Sequence, residues 1–309
     1  MSFFENGIRT AVMSTELVIE ANVSKKVLFE CLALAKEFES KYSAYKSSSL
    51  LSSINAAAGK HAVSCTKEEL EIFEKALEIA KLSDGLFDPT IGALTQGLYG
   101  FGTNRERLPS NAELAYTKAL VNYKLVKISD EEIYLPKRGM RFDLGGIGKG
   151  YVADKIIEYL QNVGATKGLV SVGGEICSFG REHTIAIKNP FSNGHIAIIH
   201  SSKELISIST SGDYERYIGS KEHHHILDNK TATQNHYYSS VTILKNGLEA
   251  TKLDGVATIV FNSKPEELNK IAKNFEIAII AITPNKDICF ENFMNLNIKN
   301  LEMFPFTDE

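Results

Sequence analysis

Several large classes of protein are excluded by what this sequence lacks. Its four cysteines are far apart and form no C-x-x-C pair, which supports neither a zinc site nor a disulfide framework, so we expect buried free thiols. No hydrophobic run approaches the length of a membrane span. A formal net charge of −4 argues against a nucleic-acid partner bound through a broad basic surface. The chain also has no internal repeat and no low-complexity linker.

The first residues of the chain do not have the pattern of a secretory signal. They lack a basic start, a continuous apolar core and a small-residue cleavage site. Two interpretations follow from this pattern: a cytosolic protein, or an exported protein whose leader has been removed.

The order of the sequence patterns predicts the fold class. At 309 residues the chain is long enough for one large domain or two moderate ones. Ser24, the pair Thr66 with Glu69 and the pair Ser110 with Glu113 predict capped helices in the first half. Helices are also predicted from about Leu253 and at 265–275, and β-structure at 11–20, 124–135, 168–172, 175–188, 195–200, 205–210, 223–228, 238–244 and 277–282. Because helices and strands are segregated more than alternating, we predict an α+β fold with an antiparallel or mixed sheet.

A glycine-rich stretch near the middle of the chain is the most informative local pattern. Residues 141–156, RFDLGGIGKGYVADKI, place four glycines between a short apolar run and an amphipathic run. This order predicts a strand, a bare backbone loop and the start of a helix. Glycines let a ligand approach the main chain, and the free N–H groups of a first helical turn favour an anion, so the implied ligand is phosphorylated.

The spacing of these glycines does not match two common phosphate-binding motifs. A Walker loop needs glycine and then serine or threonine where Asp143 and Gly150 stand. The dinucleotide motif G-x-G-x-x-G is replaced by G-x-G-x-G from Gly146 to Gly150. The glycines alone therefore favour a plain strand-to-helix turn slightly over a ligand site.

A carboxylate and a hydroxyl are predicted on one helical turn in the last third of the chain. Asp254 and Thr258 are four residues apart, so on a helix they lie side by side. Two hard oxygen ligands, completed by a loop carbonyl and phosphate oxygens, suit Mg²⁺. In the alternative, Asp254 caps the helix and Thr258 bonds back to the preceding turn. The pair by itself favours that alternative.

Three consecutive histidines, His223–His225, raise the question of a transition metal. Adjacent strand positions point to opposite faces, so at most two of these side chains can converge from this run alone. A single histidine that acts as a base next to Asp228 is the more economical interpretation.

Five segments, occurring together in this order, resemble the ApbE family of flavin transferases, the FAD:protein FMN transferases. They are DLGGIGKGY from residue 143, SVGGE from residue 171, SGDYERY from residue 211, HHILD from residue 224 and DGVAT from residue 254. KYSAYKSSSLLSSIN, from residue 41, is similar to the family's S-R-Y-x-x-x-S-x-L-S-x-L-N motif, and Met13-Ser14-Thr15 is similar to its M-G-T. The resemblance covers most of the chain. It implies an ApbE-like, T-fold-type architecture over residues 1–309, either as a single domain or as two closely packed subdomains with the FAD site between them.

The resemblance also implies a reaction. Family members hold FAD with its diphosphate bridged by Mg²⁺, and they transfer the FMN part to a threonine or serine hydroxyl of a partner flavoprotein, with release of AMP. Attack on a diphosphate depends mainly on positioning and charge neutralisation, which suits these residue types. Two alternatives stay open: an FAD pyrophosphatase that gives FMN and AMP, because the same metal can activate water, and a non-catalytic FAD-binding protein.

Individual residues of this chain are assigned roles by the resemblance. The implied metal ligands are the carboxylate of Asp254, the hydroxyl of Thr258 and the main-chain carbonyl of Gly146. For the base that takes the acceptor's proton we predict His225, with Asp228 as its orienter. The implied FAD contacts are Met13, Tyr45, Leu98, Tyr99, Gly100, Asp143, Lys149 and Leu227.

The chain departs from the family pattern in two places. Asn229–Ala232 stands where the family commonly has Pro-x-Thr-Gly, and Ser14 stands in place of the glycine of M-G-T. Losing Pro and Gly should alter the turn after HHILD. Family members are often exported lipoproteins, which suggests a periplasmic or membrane-anchored protein, while the lack of a leader permits a cytoplasmic one. Membrane association is expected only if a missing N-terminal lipoprotein leader exists.

Overall fold

The computed structural model describes residues 2–4 and 7–306 of the chain, with the backbone alone at residues 2–4. Its strands are β1 (Ser2–Phe4), β2 (Gly7–Val12), β3 (Thr15–Ala21), β4 (Val63–Ser64), β5 (Lys127–Ile128), β6 (Glu132–Tyr134), β7 (Gly168–Val172), β8 (Glu175–Phe179), β9 (Thr184–Lys188), β10 (His195–Ser201), β11 (Ile206–Gly212), β12 (Ser240–Asn246), β13 (Ala278–Ile282), β14 (Ile288–Glu291) and β15 (Ile298–Met303). Its helices are α1 (Lys25–Tyr42), α2 (Leu50–Ala57), α3 (Lys67–Leu82), α4 (Gly92–Leu94), α5 (Asn111–Lys118), α6 (Gly148–Asn162), α7 (Ala250–Asn262) and α8 (Leu268–Phe275). Within 2–4 and 7–306, no helix is both long and apolar enough to cross a bilayer.

The chain divides into two compact units. The first unit comprises the described residues of Met1–Glu37, Lys149–Gly212 and Tyr237–Glu309, and the second comprises Phe38–Gly148 and Asp213–His236. The predicted organisation, a single domain or two packed subdomains with the FAD site between them, stays a prediction.

A nine-stranded sheet forms the framework of the first unit. Its strand order is β1-β2-β3-β7-β8-β11-β12-β13-β14, and each neighbouring pair is antiparallel. One row of paired residues crosses five of these strands: Leu17, Val172, Glu175, Ser209 and Ile243. All five are at most 1% exposed, so Glu175 is a carboxylate in an otherwise uncharged, buried row. Segregated helices and antiparallel strands confirm the predicted α+β class.

The two faces of this sheet are covered by different elements. One face packs through Ile206, Ile208 and Ile280 into a core shared with a second sheet, of strand order β15-β10-β9. Helix α7 packs against β11 and β12 on the other face. Ser207 shares that face with Ser209 because the two are two residues apart in a strand, and its hydroxyl accepts a hydrogen bond from Glu249 N, at the start of α7, at 3.1 Å. The Glu175 row therefore lies on the face covered by α7.

Helices α6 and α7 cap each other's first turns. Asp154, in α6, accepts hydrogen bonds from Ala250 N at 2.9 Å and from Thr251 N at 2.8 Å, at the start of α7. Asp254, in α7, accepts a hydrogen bond from Gly150 N, in the first turn of α6, at 3.1 Å. A Cβ atom on Gly150 would lie 2.1 Å from the Ala250 carbonyl oxygen, so only glycine permits this approach. We call this arrangement the reciprocal cap; it satisfies amides that a helix leaves unpaired and places a negative charge at each positive helix end.

The second unit contains α2 to α5 and a small sheet of strand order β4-β6-β5. The predicted capping boxes are present at Thr66 with Glu69, before α3, and at Ser110 with Glu113, before α5. Residues Thr95–Tyr99 form a π-helix. Turns of this kind occur frequently at functional sites, which directs attention to this segment.

Some predictions of local structure are wrong. Residues 11–20 are a hairpin rather than one strand, because Met13 and Ser14 turn the chain with φ values of 53° and 59°. The segment 175–188 contains two strands, β8 and β9. No strand forms at 223–228, where the described chain makes only isolated bridges. The apolar run before the glycine loop contributes one bridge, from Arg141, instead of a strand.

The serine-rich segment that follows α1 contains a helix. Ser49 accepts a hydrogen bond from Ser52 N at 3.0 Å and caps the start of α2. The cysteines agree with expectation, since all four are free and three of them, Cys31, Cys65 and Cys177, are buried.

Replacing Asp154 with alanine should destabilise the protein, because it removes the acceptor of two amides at the start of α7. We expect the free energy of unfolding to fall by about 2–4 kcal/mol, since loss of a cap costs about 0.5–2 kcal/mol and an unpaired buried donor about 1–3 kcal/mol. Urea unfolding of Asp154→Ala and of the wild type measures the difference. Glu158→Ala, at an exposed position one turn later in α6, is the matched control and should change stability by less than about 0.5 kcal/mol. Equal losses in the two variants would contradict the reciprocal cap.

Candidate functional site

A buried cluster of two carboxylates and one ammonium lies in the first unit. Lys149 Nζ is 2.9 Å from Asp254 Oδ1 and 3.5 Å from Glu175 Oε1. Asp254 is 2% exposed and Glu175 is 1% exposed. Neither carboxylate oxygen of Glu175 makes a hydrogen bond of good geometry with a described residue. With two negative charges and one positive charge, the cluster has a formal net charge of −1.

Burial and mutual charge shift the protonation equilibria of this cluster. Burial, and next the charge of Asp254, raise the pKa of Glu175 to about 8, while Lys149 opposes the rise. Burial lowers the pKa of the Lys149 ammonium, but the charges of Asp254 and Glu175 outweigh that effect and hold the pKa above its ordinary value. The lysine therefore stays charged, and an additional cation nearby would favour the ionised form of Glu175.

Thr258 is in α7 together with Asp254, and its ligation of a cation stays a prediction. It lies one turn beyond Asp254 on the same helix, as their spacing predicts. Asp254 is inside α7, which begins at Ala250, so it does not cap its own helix.

The donor set fits Mg²⁺. In the part of the chain that the structure describes, no three or more His, Cys, Asp or Glu side chains form a metal-binding group. A metal at Asp254 would therefore need the Thr258 hydroxyl and oxygens from a substrate, which is the ligand set that Mg²⁺ commonly takes. The carboxylates of Asp254 and Glu175 share the single ammonium of Lys149, and this arrangement favours an added cation.

Two residues at the end of the glycine-rich loop have partners in α7. The amide of Gly150 donates to Asp254. Lys149, predicted to contact FAD, pairs with Asp254 and Glu175. Its contact with FAD stays a prediction.

Met13 lies in a strained turn beside the SVGGE turn. Gly173 N donates to Glu16 O at 2.9 Å, so the two turns occupy the same end of the nine-stranded sheet. Left-handed backbone at Met13 and Ser14 costs about 1–3 kcal/mol at each residue, a strain that the family's glycine would avoid at Ser14. Strain of this kind is concentrated at functional sites, and the contact of Met13 with FAD stays a prediction.

In the second unit, Tyr45 bridges a turn and an arginine. Its hydroxyl donates to Phe101 O at 3.2 Å and accepts from Arg216 Nη1 at 2.8 Å. Burial, and next the charge of Asp143, raise the pKa of Tyr45. The side chain is still 49% exposed, so part of the ring is available to a planar ligand. Arg216 was not predicted; its signal in the sequence is a charged residue inside SGDYERY.

Three of the predicted FAD contacts, Leu98, Tyr99 and Leu227, belong to one apolar cluster. The ring of Tyr99 stacks on Phe101 at 5.1 Å between centroids, and its hydroxyl donates to Ala232 O at 3.3 Å. Tyr99 and Leu227 are 3% and 4% exposed, so their side chains fill the interior of the unit. The contacts of Leu98, Tyr99 and Leu227 with FAD stay predictions. Gly100 follows directly, with φ of 70°, and its contact with FAD stays a prediction.

Asp143 organises the loop that contains Gly146. Its Oδ1 accepts from Gly145 N at 2.8 Å, and its Oδ2 accepts from Thr95 Oγ1, in the π-helix, at 2.6 Å. Both carboxylate oxygens therefore have partners inside the second unit. The contact of Asp143 with FAD and the ligation of a metal by the Gly146 carbonyl stay predictions.

Two of the consecutive histidines have distinct environments. His224 is 0% exposed, and its Nε2 is 3.0 Å from Asn235 O. His225 Nδ1 is 3.1 Å from Arg216 O. Because a carbonyl oxygen only accepts, this contact places the proton of neutral His225 on Nδ1 and leaves Nε2 able to accept another.

Asp228 closes the loop that follows the histidines. Its Oδ1 accepts from Lys230 N at 2.7 Å and its Oδ2 accepts from Asn235 Nδ2 at 3.1 Å. Ala232, where the family commonly has glycine, has a left-handed φ of 63°, a conformation that is strained for a residue with a side chain. The orientation of His225 by Asp228 stays a prediction, because the contact described for Nδ1 is with the Arg216 carbonyl.

Comparison with known proteins identifies the class to which this fold and site belong. The chain matches the ApbE family over residues 13–281, and it belongs to that family. It is 29% identical over 277 residues to the FAD:protein FMN transferase of Klebsiella pneumoniae, covering 87% of this chain and 86% of that protein. The crystal structure of the ApbE protein from Thermotoga maritima is 27% identical and has a TM-score of 0.85, covering 95% of this chain and 99% of that one. The structure of the flavin transferase ApbE from Vibrio cholerae is 25% identical and has a TM-score of 0.81, covering 94% of this chain and 98% of that one. These matches confirm the predicted family and its α+β architecture.

Acid should destabilise the folded protein through His224. Burial lowers the pKa of His224 from 6.5 to about 4, so between these values the unfolded chain binds a proton that the folded chain does not. The contribution is fully present above pH 6.5 and is lost as the pH falls towards 4. Replacing His224 with glutamine should reduce the loss of unfolding free energy between about pH 7 and about pH 4.5 by about 2 kcal/mol.

Urea unfolding of both proteins at the two pH values measures this difference. Burial also lowers the pKa of His183 to about 4, so His183 titrates in the same pH range. The unfolding free energy of the variant will therefore still depend on pH, and the test is its difference from the wild type. Parallel pH profiles for the two proteins would refute the role of His224.

Proposed function

We propose that this protein transfers the FMN moiety of FAD to a partner protein. The observation that carries this proposal is the family match over residues 13–281, together with a relative named FAD:protein FMN transferase of which the chain covers 86%. FAD is then a substrate, and the second substrate is an acceptor flavoprotein. We extend the proposal to a threonine or serine hydroxyl as the acceptor group and to AMP as the leaving group.

Magnesium is the cofactor that the first unit suits. Asp254 and Thr258 would hold it with a carboxylate and a hydroxyl, and the Gly146 carbonyl is the third ligand that the resemblance implies. Bound Mg²⁺ supplies charge neutralisation on the diphosphate of FAD. The chain contributes the fixed position of Asp254, which the reciprocal cap and Lys149 hold in place.

His225 is the residue that we assign to proton transfer. The acceptor oxygen forms a bond to the phosphorus of the FMN part, the bond from that phosphorus to the oxygen of AMP breaks, and the hydroxyl proton passes to His225 Nε2. The Arg216 carbonyl keeps the imidazole in the tautomer that this step needs. Tyr45, whose ring is partly exposed, is suited to a planar flavin or adenine ring.

Incubation with FAD and MgCl2, with and without a candidate acceptor flavoprotein, tests the proposal. Mass spectrometry of the acceptor should find an added FMN, and AMP should appear in equal amount. Free FMN with AMP and no modified acceptor would indicate a pyrophosphatase instead. Unchanged FAD would indicate a protein that only binds the dinucleotide.

His225→Ala should lower the transfer rate by a factor of about 10²–10⁴, the usual contribution of a general base, while FAD binding is retained. Single-turnover transfer and equilibrium binding of FAD separate the two effects. His223→Ala, a variant in the same run of histidines, is the matched control and should transfer at close to the normal rate. If His225→Ala also transfers at a near-normal rate, the base lies elsewhere.

Removal of divalent cations should abolish transfer, and Thr258→Val should raise the Mg²⁺ concentration needed to restore it. Valine keeps the shape of threonine but has no oxygen ligand, so we expect weaker activation by Mg²⁺ with little change in stability. A MgCl2 titration of chelator-treated protein measures this effect, and Thr242→Val, in β12, is the control. An unchanged activation curve for Thr258→Val would exclude the hydroxyl as a ligand.

A further inference from the structure

Lys149 occupies the carboxylate oxygen that a cation would need. Its Nζ is 2.9 Å from Asp254 Oδ1, while the other oxygen of Asp254 accepts from Gly150 N. A divalent cation that binds Asp254 through Oδ1 would lie beside this ammonium, and the repulsion between the two positive charges favours displacement of the ammonium. The displaced ammonium stays in a buried cluster, where a charge without a partner is costly.

Glu175 has the properties of a second partner for this ammonium. Its Oε1 is already 3.5 Å from Lys149 Nζ, so a small side-chain movement completes the contact. Glu175 is buried, and its contact with the ammonium is longer than the 2.9 Å contact that Asp254 makes. Because buried charges are stabilised by close pairing, this longer contact leaves Glu175 able to take a closer one.

We propose that Glu175 is a positioning residue that receives the Lys149 ammonium when a divalent cation binds Asp254. This inference rests on the proposed function, because it assumes a cation at Asp254. The exchange keeps every charge paired: Lys149 leaves Asp254 for Glu175, and the cation takes its place. Glu175 thereby sets the affinity of the site without being a ligand of the metal.

The test is a double-mutant cycle read by metal affinity. Chelator-treated protein without FAD is titrated with Mn²⁺, and free Mn²⁺ is followed by electron paramagnetic resonance. The variants are Glu175→Gln, Lys149→Met and the double variant, each checked for folding by its thermal transition. Lys155→Met and Glu158→Gln, a surface pair 3.6 Å apart on α6, form the control cycle.

Glu175→Gln should weaken Mn²⁺ binding at least tenfold, because the ammonium then stays on Asp254. Lys149→Met removes the competing ammonium, so it should bind Mn²⁺ at least as tightly as the wild type. The double variant should bind like Lys149→Met, since Glu175 has no ammonium left to receive. The double variant buries fewer unpaired charges than Lys149→Met. If Lys149→Met does not fold, the double variant is compared with the wild type and should bind Mn²⁺ at least as tightly.

Three outcomes overturn the inference. Glu175→Gln binds Mn²⁺ normally, or its weaker binding persists in the double variant, or the control cycle gives the same changes. A wild-type protein that binds no Mn²⁺ would instead remove the proposed metal site itself, so the two failures are distinguishable.

Discussion

Two carboxylates, each at the first turn of the other's helix, hold α6 and α7 together. Asp154 accepts from the amides that begin α7, and Asp254 accepts from the amide of Gly150 in α6. The contact at Gly150 is so close that a side chain would not fit. Because Lys149 precedes Gly150, the same crossing also places the ammonium on Asp254. The helix geometry and the charge cluster therefore both depend on this crossing of α6 and α7.

The residue types of the motifs follow from this arrangement. In GKGYVAD, Gly150 allows the close approach of the Ala250 carbonyl. Lys149 carries the positive charge that pairs with Asp254, and Asp154 caps the start of α7. In SVGGE, Gly173 and Gly174 turn the chain, and Glu175 then enters the sheet in a buried, uncharged row. The two motifs thus bring two carboxylates and one ammonium together in the interior of the first unit.

Local features could be predicted from the sequence because their causes are local. The capping boxes at Thr66 and Ser110 each lie within four residues, and both are present. The turn at Met13 escaped prediction because the residues on both sides continue an alternating pattern. Glu175 and Arg216 lay inside recognised motifs, yet their partners, Lys149 and Tyr45, are distant in the chain. Composition and spacing carry no information about such pairs.

The reciprocal cap joins residues that are 96 to 104 positions apart in the chain. At a synthesis rate of about 5–20 residues per second, α6 leaves the ribosome roughly 5–20 s before α7. During that interval the first turn of α6 lacks Asp254, which accepts its hydrogen bond, and Ala250, which packs against Gly150. A nascent chain that contains the glycine loop but not yet α7 therefore cannot form the charge cluster. The cluster must form late in synthesis, when most of the protein has been made.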